Sequence, residues 1–124
     1  MRDHRKLRAF ELADEVVVLI YEITKTFPRD EIYVLTSQMR RAAVSVVSNI
    51  VEGCARESQA EYVRFLDIAF GSLRELHYQV SLSIRLGYLN EQNTSTCEQR
   101  LFETEKVLGA LMRSMRSNSK RSGS

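Results

Sequence analysis

Apolar residues return every three or four positions along most of this chain, the spacing that lines one face of an α-helix. Leu7, Phe10, Ala13, Val17, Ile20 and Thr24 form the first such line and predict a helix over about 6–26. Phe27-Pro28 closes it, because proline disfavours helical geometry in the residue before it. Arg29-Asp30-Glu31 reads as a polar turn. Leu35, Met39, Ala42, Val46, Ile50 and Gly53 line a second helix over about 34–56. A third, over about 59–86, opens on Ser58-Gln59-Ala60-Glu61, where Ser58 and Glu61 can satisfy each other's backbone donors. Its apolar line is Tyr62, Phe65, Ile68 or Ala69, Leu73, Leu76, Val80 and Ile84, and Gly87 stands where a helix-ending glycine belongs. Asn90 caps a fourth helix over about 91–115, with Leu101, Leu108, Leu111 and Met115 on its inner face. The run Asn93-Thr94-Ser95-Thr96 is a poor helix former, so the first turns of that helix are expected to fray.

Four long helices joined by short connections predict an all-α fold: an antiparallel, up-down-up-down four-helix bundle. The expected domain covers 1–116, and 117–124, Ser-Asn-Ser-Lys-Arg-Ser-Gly-Ser, reads as a disordered basic tail. One proline and five glycines in 124 residues leave little room for a turn-rich β fold. Two helices are more apolar than an isolated bundle requires. Val16 to Ile20 points apolar groups in every direction, and Val44, Val47 and Val51 form a second stripe beside the core stripe of the second helix. A helix apolar most of the way round is buried most of the way round, which predicts self-association.

The formal charge of +2 hides an asymmetry, because Arg113, Arg116, Lys120 and Arg121 follow the last acidic residue. Without them 14 basic residues face 16 acidic ones. The basic character therefore sits at the chain ends. Cys54 and Cys97 suit a reducing compartment and suggest no disulfide framework. No signal segment is visible and no apolar run could span a bilayer, so the expectation is a cytoplasmic protein with no membrane partner.

Motifs for chemistry are sparse. The glycines are scattered singles, with no phosphate loop. His77 has Arg74 rather than a glutamate three residues before it, so the Glu-x-x-His step of a bundle metal site fails and no metal or cofactor is expected. The unusual feature is polar content along the second and third helices: Gln38, Arg40, Arg41, Ser45, Asn49 and Glu52 on one, Ser72, Glu75 and Gln79 on the other. Facing edges would make a polar seam. One reading is a ligand or catalytic site on Glu52 and Glu75, which requires an enclosed pocket. The favoured reading is a hydrogen-bond network, with Arg40 or Arg41 supplying charge, that fixes helix register or subunit pairing. The second feature is a basic end. Up-down-up-down topology brings together Arg5, Lys6 and Arg8 from the arm, Arg56 and Arg64 from the second connection, and Arg113 and Arg116 from the last helix. Such a cluster suits salt-dependent contact with nucleic-acid phosphates.

These residues also carry a family resemblance. It rests on Phe27-Pro28-x-x-Glu31-x-Tyr33-x-Leu35-Thr36-x-Gln38-x-Arg40-Arg41-Ala42-Ala43-x-Ser45 and on Ser48-Asn49-Ile50-x-Glu52-Gly53-x-x-Arg56. Phe65-Leu66-x-x-Ala69-x-Gly71-Ser72-Leu73-x-Glu75-Leu76 and Leu86-Gly87-Tyr88-Leu89 complete it. From Leu7 to about Met115 the chain resembles the 23S rRNA intervening-sequence proteins, small bacterial four-helix proteins. The resemblance implies a ring, most simply a homopentamer, and an RNA-binding role. It defines no catalytic residues. A more distant relative, the accessory variability determinant of diversity-generating retroelements, is a pentameric barrel that binds nucleic acid. This chain departs from that strongly basic protein in charge. The expectation is a non-enzymatic oligomer that binds RNA through the basic end. The alternative is an adaptor for another polypeptide, using an apolar patch such as Val44, Val47 and Val51.

Overall fold

A computed structural model of the chain describes the backbone of residues 2–123 and the side chains of residues 2–117. Four α-helices carry the fold: α1 Arg8–Ile23, α2 Leu35–Cys54, α3 Gln59–Arg85 and α4 Glu91–Gly123. There is no strand among the described residues. Each helix packs on two others, α1 and α3 both lying against α2 and α4, around one common core.

The helix ends follow local chemistry. Short 3-10 turns at His4–Lys6 and Thr24–Thr26 flank α1, so the helix is shorter than the expected 6–26. At its end Thr24 Oγ1 donates to the Ile20 carbonyl at 2.8 Å, and a side-chain hydroxyl bonded back in this way competes with continued helix. Ser58 caps α3 by accepting the Glu61 N–H at 3.1 Å. Beyond Arg85 the N–H of Gly87 reaches the Ile84 carbonyl at 3.0 Å and that of Tyr88 the Ser83 carbonyl at 3.0 Å. This paired closure needs left-handed backbone at its turning residue, and Gly87 supplies it with φ 79°. Asn90 Oδ1 accepts the Asn93 N–H at 2.8 Å. The Asn93–Thr96 run expected to fray is helical, with Thr94 buried and its Oγ1 donating to the Asn90 carbonyl at 2.9 Å. The backbone of α4 runs helical to Gly123, over the segment expected as a tail; side chains from 118 onward lie outside the described residues.

The core matches the expected stripe of α2 residue for residue: Leu35, Met39, Ala42, Val46, Ile50 and Gly53 are all buried. In α1 the expected line is rotated. Ala9, Leu12, Ala13, Val16 and Ile20 are buried, whereas Leu7, Phe10 and Val17 are partly buried and pack at its edge. The run Val16–Ile20 offers apolar groups on every side, so periodicity alone could not choose among them. In α4 the buried line is Cys97, Leu101, Thr104, Leu108 and Met112, leaving Leu111 and Met115 at the margin. Apolar side chains also stay outside, with Val18 60% and Val44 40% exposed. No described helix is long and apolar enough to cross a membrane.

One close approach holds the second and third helices together. A Cβ built on Gly53 would lie 3.0 Å from Phe65 Cβ and 3.3 Å from the Tyr62 carbonyl oxygen. Neither neighbour is the free end of a flexible side chain, so the helices must part to admit a methyl group. Gly53→Ala gains helix propensity of up to ~1 kcal/mol but overpacks the contact, which costs about 1–3 kcal/mol. The expected net is a loss of about 1 kcal/mol, read as a lower urea midpoint with an unchanged slope.

Candidate functional site

The seam between α2 and α3 is real but shorter than the sequence suggested. Ser45 Oγ and Ser72 Oγ meet at 2.9 Å across it. Asn49 Nδ2 donates to the Ser45 carbonyl at 2.8 Å and to Ser45 Oγ at 3.1 Å. The other expected members lie elsewhere. Gln79 Nε2 donates to Glu75 Oε1 at 3.3 Å within α3, and Glu75 itself is exposed. Glu52, also exposed, pairs with Arg56 one turn on. Arg40 turns toward α1: its Nε donates to Thr24 Oγ1 at 3.0 Å and its guanidinium lies 4.7 Å from the centre of the Tyr21 ring. Gln38 and Arg41 are exposed. Glu52 and Glu75 pair locally, and neither lines any of the described cavities.

The basic end is assembled by direct contacts. The Arg2 N–H donates to the Cys54 carbonyl at 3.1 Å, and Arg2 Nη1 to the Arg56 carbonyl at 2.9 Å. The same guanidinium lies 4.0 Å from the centre of the Tyr62 ring. Gln59 Nε2 donates to the Met115 carbonyl at 2.9 Å, tying the start of α3 to α4. The arm, the α2–α3 connection and this part of α4 thus share one end. Many of the expected phosphate ligands already hold carboxylates. Arg5 pairs with Asp3 at 3.0 Å, Arg8 with Glu11 at 3.2 Å and Glu103 at 3.8 Å, Arg56 with Glu52, and Arg116 with Asp67. The Arg5 guanidinium holds the Asp3 carboxyl below its ordinary range. Among the described residues no ion pair reaches Lys6, Arg64 or Arg113.

Two features escaped the sequence reading. The first is an open groove of about 610 Å³ against α1 and α2, lined by Tyr21, Ile32, Tyr33, Arg40, Arg41 and Val44 among others. Tyr33 is 91% exposed there. An apolar triplet, Ile32-Tyr33-Val34, inside a connection was the available signal. The second is His77, whose Nδ1 lies 2.6 Å from Glu105 Oε1 while Arg74 Nη1 holds Glu105 Oε2 at 3.0 Å. The Phe102 ring stands edge-on at 4.8 Å. Glu105 lies on another helix, beyond the reach of any short motif. No cluster of three or more His, Cys, Asp or Glu suited to a metal occurs among the described residues.

A family model for the 23S rRNA-intervening sequence protein matches residues 5–110. The chain belongs to that family. Among solved structures it is similar to a protein of unknown function of the S23 ribosomal protein family from Bacteroides thetaiotaomicron VPI-5482. The two are 24% identical with a TM-score of 0.77, the match covering 84% of this chain and 97% of the other, a likeness of fold. No curated protein matches the chain.

In this intervening-sequence family member the seam contact can be isolated by a double-mutant cycle. Ser45→Ala and Ser72→Ala should each destabilise, with a coupling energy of about 0.5–1.5 kcal/mol. A coupling of zero in urea unfolding would show the pair to be energetically idle.

Both thiols are buried and free. Burial pushes Cys97 up to about 12 from 9.0, and raises Cys54 as well. Burial also lifts Tyr62 from 10.0 to about 12. In the unfolded chain these groups lose protons earlier, so raised alkalinity favours unfolding. Their contribution is fully present below the thiol's ordinary 9.0 and is lost as pH climbs toward about 12. Urea midpoints measured upward from neutral pH should fall across that window, and Cys97→Ala should flatten the fall.

Proposed function

We propose that this protein is a non-enzymatic, self-associating bundle that binds RNA through its basic end. The observation that carries the reading is the convergence of the N-terminal arm, the α2–α3 connection and α4 on one end. There Lys6, Arg64 and Arg113 meet no carboxylate among the described residues. The family's name, which ties its members to the 23S rRNA intervening sequence, points to the same class of partner. An antiparallel, up-down-up-down course is supported by the α2–α3 pairs Met39–Ser83, Ser45–Ser72 and Gly53–Tyr62, whose numbers rise on one helix as they fall on the other. Exposed Val18, Tyr33 and Val44 support self-association, and the family resemblance favours a ring of five. Two free thiols fit a reducing, cytoplasmic setting.

A binding role suits the disposition of the acids. Glu52 is taken by Arg56 and Glu75 stands exposed, and neither lines a described cavity. A second reading, an adaptor for another polypeptide, is favoured by the groove beside Tyr33 and Val44. Binding through that groove would survive high salt, whereas phosphate contact would not.

The test is fluorescence anisotropy with a structured RNA across a salt series. Affinity should fall steeply as salt rises. Replacing Lys6, Arg64 and Arg113 together with alanine should weaken binding and reduce the log–log salt slope by about 2 to 3. Replacing the paired Arg5 and Arg8 should do less. Unchanged affinity and slope in the triple variant would reject the basic end as the site.

A further inference from the structure

A glycine in the middle of a helix weakens it and is retained where a backbone must come close to something. Gly53 satisfies that rule within the chain, pressed against Tyr62 and Phe65. Gly71, in the middle of α3, does not. Its backbone has no positive φ, and a Cβ built on it would meet nothing within 4 Å. Nothing among the described residues of one copy explains its missing side chain. Ile68, Gly71, Glu75 and Tyr78 follow one another at helical spacing, and all are exposed. The Glu75 carboxylate receives only Gln79 Nε2, and no cation among the described residues pairs with it. This strip is therefore flat at its centre, apolar toward its two ends and anionic between them.

The groove on α1 and α2 has the complementary character. Its lining includes no carboxylate and two cations, Arg40 and Arg41, beside Tyr21, Tyr33 and Val44. Tyr33 projects almost wholly into solvent. We propose that the strip around Gly71 on one copy receives the Tyr33 groove of a second copy, in a head-to-tail contact. The glycine leaves room for an aromatic ring to lie against the α3 backbone, and Arg41 faces Glu75. Each copy carries both surfaces, and they are different surfaces, so the contact repeats from copy to copy and closes into a ring if the rotation allows. The inference rests on the self-association reading and assigns that association its two faces.

The experiment uses the full chain and measures molar mass by sedimentation equilibrium over a range of concentrations. A Cβ at position 71 meets nothing within 4 Å of its own fold, so in Gly71→Leu helix content by circular dichroism should be kept while association weakens by about 100-fold or more. Gly71→Gln is the second variant at that site. Tyr33→Asp breaks the groove from the other side. Each variant alone should be a single chain. Mixed in equal amounts, Tyr33→Asp retains an intact strip and Gly71→Leu an intact groove, so they should form a two-chain species and nothing larger. A wild-type protein that is monomeric throughout overturns the self-association reading and this inference with it. A multimeric wild type with equally multimeric Gly71→Leu and Gly71→Gln overturns the Gly71 contact alone. Monomeric variants that fail to pair on mixing overturn the head-to-tail arrangement.

Discussion

The approach of α2 to α3 at Gly53 governs more of this molecule than its size suggests. With no side chain there, the last turn of α2 rests directly on Tyr62 and Phe65. The helix stops one residue later, at Cys54. Terminal carbonyls of a helix need partners from outside it. The Cys54 carbonyl finds one in the Arg2 N–H, and the carbonyl of Arg56 just beyond finds another in the Arg2 guanidinium. The guanidinium is also held over the Tyr62 ring, the same ring that the glycine admits. The N-terminal arm is therefore tied to the end of α2 by the residue pair that brings α2 and α3 together. The basic end exists as a place because of that packing.

How much of this could be read from the sequence depended on how many answers each pattern allowed. The second helix permitted few, since Arg40, Arg41, Ser45 and Asn49 exclude much of its circumference and the Val44, Val47 and Val51 stripe is shorter than the core stripe. The caps were legible too, because Ser58, Gly87 and Asn90 each do something few residues can. The first helix allowed several answers, as five consecutive apolar residues satisfy almost any rotation. The expected seam failed differently. Residues at i, i+4 and i+7 share an edge, but an edge has width, and long side chains such as Arg40 and Glu52 reach sideways to Thr24 and Arg56. Only the short side chains, Ser45, Asn49 and Ser72, had to stay where the pattern placed them.

Buried polar groups in this bundle are mostly satisfied by the helix that carries them. Thr24, Ser83 and Thr94 each donate to the carbonyl four residues before, at 2.8, 2.8 and 2.9 Å. Such local bonding removes most of the penalty of burial. Pairing between elements then falls to side chains that reach across, among them Ser45 to Ser72, Arg40 to Thr24, Ser83 to Met39 Sδ and His77 to Glu105, to the glycine at position 53, and to Tyr88 Oη donating to Glu31 Oε2 at 2.8 Å, which joins two connections. That last bond also raises the Tyr88 phenol above its ordinary value. Register in such a bundle depends on a handful of polar contacts laid over a permissive apolar core.

The same economy shapes the electrostatics. A count of arginines at the basic end suggests a strong positive field, yet Arg5, Arg8, Arg56 and Arg116 each face a carboxylate at close range. Exposed pairs of this kind contribute little to stability, so their main effect is on the field. A paired arginine offers phosphate only what remains after its carboxylate is displaced or shared. Of the expected phosphate ligands, those that meet no carboxylate among the described residues, Lys6, Arg64 and Arg113, come from three separate parts of the chain and are brought to one end by packing. A surface built this way is weak in one copy. Its attraction for a polyanion would grow with the number of copies that present it together, because each neutralised phosphate releases counterions independently. On the proposed reading of a self-associating RNA binder, binding strength at the basic end and assembly would be coupled, with the contact between copies setting how many cations a single RNA meets.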